Sequence, residues 1–338
     1  MISPTAKKFH GIPLSVLDLA PITEGSEASD SFKNSAELAQ HVEKWGFNRY
    51  WLAEHHNMPG IASSATSVLI GHIAGATETM RIGSGGIMLP NHAPLVIAEQ
   101  FGTLESLYPG RIDLGLGRAP GTDQATAFAL RRTLNTGPEE FPQQVEELQN
   151  YFSGHPAGHV RAYPGRGLNI PIWLLGSSDF SARLSALKGL PFSFASHFAP
   201  QYTLAALKLY RDNFQPSETL EKPHAMVGVN IIAADTEERA HWLATSQQQQ
   251  FLSLRRNMPT KLLPPIDNID EVWSPYERAA VEQTLDSGYT FVGTAEMIKE
   301  KLEELIDNTK ADEVIINSQI FYQKDRLRSY EIVGELME

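Results

Sequence analysis

Apolar residues along this chain fall into short runs, separated by longer stretches in which they recur every three or four positions. The runs are Ile12–Leu19, Tyr50–Ala53, Arg81–Leu89, Ile112–Arg118, Pro171–Gly176, Phe192–Ser196, Met226–Ala234 and Glu313–Asn317. Their length and β-branched or aromatic content predict buried strands. The stretches between them predict helices over Ser31–Lys44, Ala62–Ala76, Leu95–Leu107, Glu139–Phe152, Phe180–Lys188, Tyr202–Asn213, Thr236–Leu254, Thr294–Asp307 and Lys324–Leu336. On the first of these Leu38, Val42 and Trp45 share a stripe, and Tyr108-Pro109-Gly110 stops the third. Strands alternating with helices in this way predict an α/β fold, a single-domain (β/α)8 TIM barrel rather than an open sheet. Two stretches break the alternation: Ala119–Pro138 after strand 4, and Arg255–Gly288 after the helix that follows strand 7. Neither has linker composition, so both read as insertions in one domain spanning 1–338, the second as a mobile cover.

In such a barrel the C-terminal ends of the strands build the site. Here those ends are Asp18, Glu54-His55-His56-Asn57, Ser84-Gly85-Gly86, Gly117-Arg118, Gly176-Ser177-Ser178, Ser196-His197 and Asn317-Ser318. So many polar or glycine ends after apolar runs point to a ligand. Arg118 after a glycine, and Gly176-Ser177-Ser178 opening a helix, suit a phosphate, since bare backbone N–H groups and a guanidinium both favour an anion. Ser178 reads equally well as a plain helix cap. Gly85-Gly86 reads either as a bulge or as bare backbone under a flat ligand. Neither glycine-rich stretch, Gly83–Gly86 or Gly115–Gly117, completes a dinucleotide fingerprint.

Adjacent strand residues face opposite ways, so Glu54 and His56 share one face and His55 takes the other. The stretch itself has no His-x-His or His-x-x-x-His spacing, so it favours proton transfer over a metal centre, and no metal is expected. His197 reads as a core histidine. Trp45, Tyr50, Trp51 and Trp173 read as packing.

Composition narrows the function. The 338 residues carry 40 acidic against 28 basic side chains, a net charge of −12, which argues against nucleic acid or a basic membrane-surface role. The absence of cysteine excludes disulfides, thiolate metal sites and thiol catalysis. No run approaches the ~20 apolar residues of a membrane span, and Met1–His10 lacks a signal-peptide core. The expectation is a soluble, cytoplasmic protein.

The motifs also resemble a known family. Trp51-Leu52-Ala53-Glu54-His55-His56, Ile82-Gly83-Ser84-Gly85-Gly86-Ile87-Met88-Leu89-Pro90, Pro94–Gln100, Pro109–Arg118 and Gly189-Leu190-Pro191 occur in the order found in bacterial luciferase-type flavin monooxygenases. Within that family the chain looks most like the alkanal monooxygenase-like subgroup. The resemblance implies a (β/α)8 barrel that receives reduced FMN from a separate NAD(P)H:flavin reductase. With O2 it would oxygenate a small organic substrate via a C4a-peroxyflavin, and a homodimer is expected. Carried over residue by residue, His55 matches the catalytic histidine, with Glu54 as its positioner. Gly85-Gly86 matches a pair often joined by a cis peptide beneath the flavin. Arg118, Ser177 and Ser178 match the phosphate grip, and the Leu175-Gly176 backbone borders the flavin. Arg131 or Arg132 would add a phosphate contact. Gly117 stands where luciferase has a cysteine, which puts light emission in doubt. Two rivals stay open on the same barrel: an F420-dependent hydride-transfer enzyme and an FMN-binding protein without turnover.

Overall fold

A computed structural model describes residues 2–119, 122–131, 138–154, 159–285 and 288–338. The barrel strands are β1 (Ile12–Asp18), β2 (Arg49–Leu52), β3 (Arg81–Ser84), β4 (Ile112–Gly117), β5 (Ile172–Gly176), β6 (Phe192–Phe194), β7 (Ala225–Ala233) and β8 (Glu313–Asn317). Each pairs in parallel with the next, and β8 returns to β1 through Val314↔Leu14 and Ile316↔Val16. The sheet is therefore a closed eight-strand barrel, as the alternation of strands and helices predicts. The helices around it are α1 (Ala28–Trp45), α2 (Thr66–Ala76), α3 (Pro94–Leu107), α4 (Gln124–Arg131), α5 (Phe141–Phe152), α6 (Asp179–Lys188), α7 (Thr203–Asp212), α8 (Glu237–Arg255), α9 (Pro275–Leu285), α10 (Ala295–Thr309) and α11 (Gln323–Glu335). No helix among the described residues is long and apolar enough to cross a membrane.

Every residue of β2, β4, β7 and β8 is buried, which is why these strands read as unbroken runs rather than alternating ones. Two short pairings escaped the sequence pattern. Lys8–Phe9 forms an antiparallel ladder with the start of β1, and Thr290–Gly293 lies parallel to the second half of β7 outside the ring. Both are too short to show a period.

The N-terminal end of the barrel is closed by a buried ion network. Arg49, the first residue of β2, donates through Nε and Nη2 to Glu313 on β8 at 2.7 and 2.9 Å. Its Nη1 donates to Asp113 on β4 at 2.6 Å, and Arg81 Nη2 reaches the other Asp113 oxygen at 2.5 Å. Asn48 and Ser15 also donate to Glu313. Burial would raise the Glu313 carboxyl, but Arg49, His224 and Ser15 hold it down to about 2. Five strands, β1 to β4 and β8, are tied together at the end opposite the candidate site.

Asp18 is a correction to the reading of strand ends. It points away from the barrel interior and accepts hydrogen bonds from Arg326 at 2.7 Å, Ser35 at 2.5 Å, the Ala20 N–H at 2.8 Å and Tyr50. It fastens β1 to α1 and α11. Burial opposes its charge, yet Arg326 and the two hydroxyls keep its pKa below the usual carboxylate value.

Both insertions hold helices that the sequence pattern did not reveal. In the first, Asp123 accepts from the Thr126 N–H at 2.9 Å and its hydroxyl at 2.7 Å, starting α4. In the second, α9 packs Val281 and Leu285 against Trp273 and Leu252 in a small core of its own. Two anchors one turn apart are too few to stand out as a stripe. The cover is tied to the loop after β1: Leu262 donates its N–H to Ile22 O at 2.9 Å and accepts from Glu24 N at 2.8 Å. Lys261 Nζ donates to Ser26 O at 2.6 Å.

Candidate active site

A cavity of about 490 Å³ opens at the C-terminal strand ends, above an inner core that includes Leu17, Trp51, Trp173 and Ile315. That volume lies within the range of small-molecule sites. Its mouth is bordered by Phe251 and Leu254 from the end of α8 and by Pro259 and Thr260 from the cover. His55, Gly85, Gly86 and Arg118 all line it, as do Leu175, Gly176, Ser177 and Ser178.

One part of the lining is bare backbone. The Gly85–Gly86 peptide is cis and interrupts the third strand, which resumes as Ile87–Met88 beside Leu116–Gly117 of β4. A Cβ on Gly86 would lie 2.6 Å from Gly115 O, and one on Gly85 would lie 2.6 Å from Leu17 Cδ1. At Gly86 backbone fits and a side chain does not, and at Gly85 a side chain would have to displace Leu17. At Gly117 the same construction meets Met88 Sδ at 2.6 Å, so the Met88 thioether fills the space beside that glycine.

The corner between β4 and β5 is suited to an anion. The Arg118 guanidinium carbon lies 4.0 Å from the Phe180 ring centroid, and no carboxylate among the described residues pairs with it. Ser178 is the N-cap of α6 in extended backbone, but its hydroxyl makes no capping bond. The plain-cap reading of Ser178 therefore fails. The first-turn N–H groups of α6 and the hydroxyls of Ser177 and Ser178 stand beside a cation without a carboxylate. Arg132 lies outside the described residues, as does the side chain of Arg131.

Glu54 does not line the cavity. Its Oε1 accepts from His56 Nε2 and His92 Nε2, both at 2.8 Å, and its Oε2 accepts from the Met88 N–H at 3.0 Å. The expected role as positioner of His55 is thus corrected: the alternation of faces that puts His55 into the cavity turns Glu54 away from it. Burial raises the Glu54 carboxyl, but His92, His56 and the Met88 N–H outweigh it and keep it below its ordinary value. The donor atoms of Glu54, His56 and His92 lie within 4.8 Å of one another, and the trio satisfies itself by hydrogen bonds.

His197, read from sequence as a core histidine, lies on the cavity wall. Its Nδ1 is 2.5 Å from where a Cβ on Gly228 would sit, so that glycine makes room for the ring. Burial pushes its pKa down to about 4, against a small opposing effect of the Gly228 backbone, and the ring is neutral near pH 7. Next to it runs a row of amides. Asn230 donates to His197 O and to Thr290 Oγ1, each at 3.1 Å. Asn317 donates to Asn230 at 2.9 Å, and Gln319 to Asn317 at 3.2 Å. Only Asn317 of this row stood out in the sequence. Asn230 is hidden inside the apolar run of β7, Gln319 lies beyond the end of β8, and His92 has no spacing that links it to Glu54.

A closed parallel barrel with an apolar cavity at its C-terminal strand ends, lined by an arginine and two histidines, defines an α/β-barrel enzyme architecture. Within that class, the family model described as luciferase-like monooxygenase matches residues 12–313, and the chain belongs to this family. It is 60% identical over 325 residues to "Uncharacterized protein YvbT" of Bacillus subtilis (strain 168), covering 96% of each chain. It is 56% identical over 328 residues to a luciferase-like monooxygenase of Escherichia coli (strain K12), covering 97% of each. Among solved structures, apo-MsnO8 superposes with a TM-score of 0.87 at 31% identity, over 96% of this chain and 98% of that one. The oxygenating constituent of 3,6-diketocamphane monooxygenase from Pseudomonas putida, in complex with FMN, gives 0.73 at 16% identity, over 96% and 97%. An F420-dependent secondary alcohol dehydrogenase gives 0.64 at 13%, over 96% and 98%. The last two show likeness of fold alone.

Proposed function

We propose that the protein is a two-component monooxygenase that takes up reduced FMN and uses O2 to oxygenate a small organic substrate. The observation that carries this reading is the anion corner: Arg118, with which no carboxylate among the described residues pairs, beside the start of α6 that lacks a side-chain cap. The bare Gly85–Gly86 backbone, on the strand next to β4, supports a flat ring there. When bound, reduced FMN supplies the electrons that activate O2.

The chain's own residues do the rest. Arg118, Ser177, Ser178 and the α6 N-terminus bind the phosphate, and Leu175 and Gly176 border the ring system. His55 holds or moves a proton at the reacting face. Phe251, Leu254 and Pro259 exclude water at the mouth. Glu54 acts at one remove, by fixing His56, His92 and the Met88 backbone. With no dinucleotide fingerprint in the sequence, a separate NAD(P)H:flavin reductase is the proposed source of reduced flavin. A homodimer is part of the same proposal.

Arg118→Ala tests the anion corner against riboflavin, which carries no phosphate. FMN should bind about 10- to 100-fold more weakly to the variant, the scale of charge-assisted hydrogen bonds, while riboflavin affinity stays unchanged. An equal loss for both ligands in a fluorescence titration would remove the phosphate assignment.

A further inference from the structure

The amide row beside His197 is directional, and its direction follows from one group. The His197 backbone carbonyl can only accept, so the Asn230 NH2 group must face it, as found at 3.1 Å. Asn230 Oδ1 is then an acceptor and takes the Asn317 NH2 at 2.9 Å. Asn317 Oδ1 in turn takes the Gln319 NH2 at 3.2 Å. All three side chains are buried: Asn230 is 0% exposed, and Asn317 and Gln319 are each 6% exposed. The row therefore ends in one orientation, with Gln319 Oε1 as an acceptor that no described residue satisfies and that is not sealed in the protein interior. Gln319 is among the residues that line the cavity.

We propose that Gln319 Oε1 is a substrate subsite, accepting a hydrogen bond from an N–H or O–H group of an uncharged organic substrate. This rests on the reading of the cavity as an oxygenase site. The ring of strands places the two ligands. The anion corner is at β4 and β5, whereas Gln319 follows β8, which lies across the barrel from β4. A cofactor gripped at Arg118 over Gly85–Gly86 leaves the β7–β8 wall to a second ligand. That wall is apolar apart from the amides and His197, with Ile315 and Leu17 beside them. Among the described residues no carboxylate lines the cavity, so none of them would pair with an ammonium group there. An apolar body with one donor, such as a secondary amide or an alcohol, satisfies the acceptor, whereas a ligand without a donor leaves it buried and unpaired.

The test uses a matched pair of probes, N-butylacetamide and butyl acetate, which share a shape and differ in one N–H. Their affinities are read by proton NMR titration of the full-length protein, with and without saturating oxidised FMN. The amide should bind about 5- to 10-fold more tightly than the ester, and Gln319→Leu should erase that preference while FMN affinity is unchanged. Equal binding of the two probes to the wild-type protein would overturn the subsite, and this comparison needs no variant to fold. Preference for the amide surviving in Gln319→Leu would also overturn it. So would a loss of FMN affinity in that variant, which would give the acceptor to the cofactor. Amide preference in a protein that binds no FMN would support the subsite and overturn the flavin reading, so the two fail separately.

Discussion

Replacing His55 with alanine should lower kcat about 10²- to 10⁴-fold, which is about 3–5 kcal/mol in the barrier, with FMN affinity almost unchanged. The reason lies in the other ionisable groups of the cavity lining. Arg118 is assigned to the phosphate. His197, with its pKa pushed down to about 4, is neutral at pH 7 and remains so through the range in which an oxygenase would work. Among the described lining residues His55 is then left as the imidazole placed to exchange a proton. The check is oxygen-dependent product formation, with reduced FMN supplied, on any organic substrate that the wild-type protein turns over. Rates within a factor of three of wild type would remove His55 from the chemistry.

Glu313→Ala should destabilise the fold by about 3–5 kcal/mol without touching the cavity. The carboxylate accepts from Arg49, Asn48 and Ser15, and its loss removes two charge-assisted hydrogen bonds from a buried guanidinium. Asp113 still holds Arg49 Nη1, but its charge is shared with Arg81. The pH dependence has a definite sign. Glu313 is held at about 2, below its ordinary 4.5, so its contribution is complete above pH 4.5 and is lost as pH falls towards 2. Urea denaturation at pH 7 should show the full difference between wild type and variant, and at pH 3 a smaller one. A variant as stable as wild type at pH 7 would mean that the network adds nothing net to stability.

These two residues also show how much could be read from the chain alone. Burial on both faces makes the barrel strands unbroken apolar runs, so the barrel and the order of its elements were legible. Several residues that line the cavity were legible too, because a polar residue directly after such a run stands out. His55, Arg118, Gly85-Gly86 and Ser177-Ser178 were found this way, and all of them line the cavity.

Direction was harder to read. Asp18 and Glu54 sit at strand ends as conspicuous as the others, yet one alternation of facing sends each away from the cavity, towards Arg326 and towards His56 and His92. Deciding between faces needs the register, which sequence alone does not supply. Asn230 and Gln319 were hidden for the opposite reason. Their function comes from a row assembled across β7, β8 and the loop beyond, and no spacing along the chain records such a row. Helices α4 and α9 were missed because each has little apolar surface to bury, so the pattern that betrays longer helices is absent.

The central claim is that the cavity binds reduced FMN for oxygenation, and anaerobic titration tests it most directly. The protein would be titrated with reduced FMN, oxidised FMN and reduced F420, followed by absorbance and fluorescence, and air then admitted. The account predicts that reduced FMN binds more tightly than oxidised FMN, that F420 binds poorly, and that air consumes the bound reduced flavin. Tight binding of F420 alone, or of neither flavin form, would contradict it.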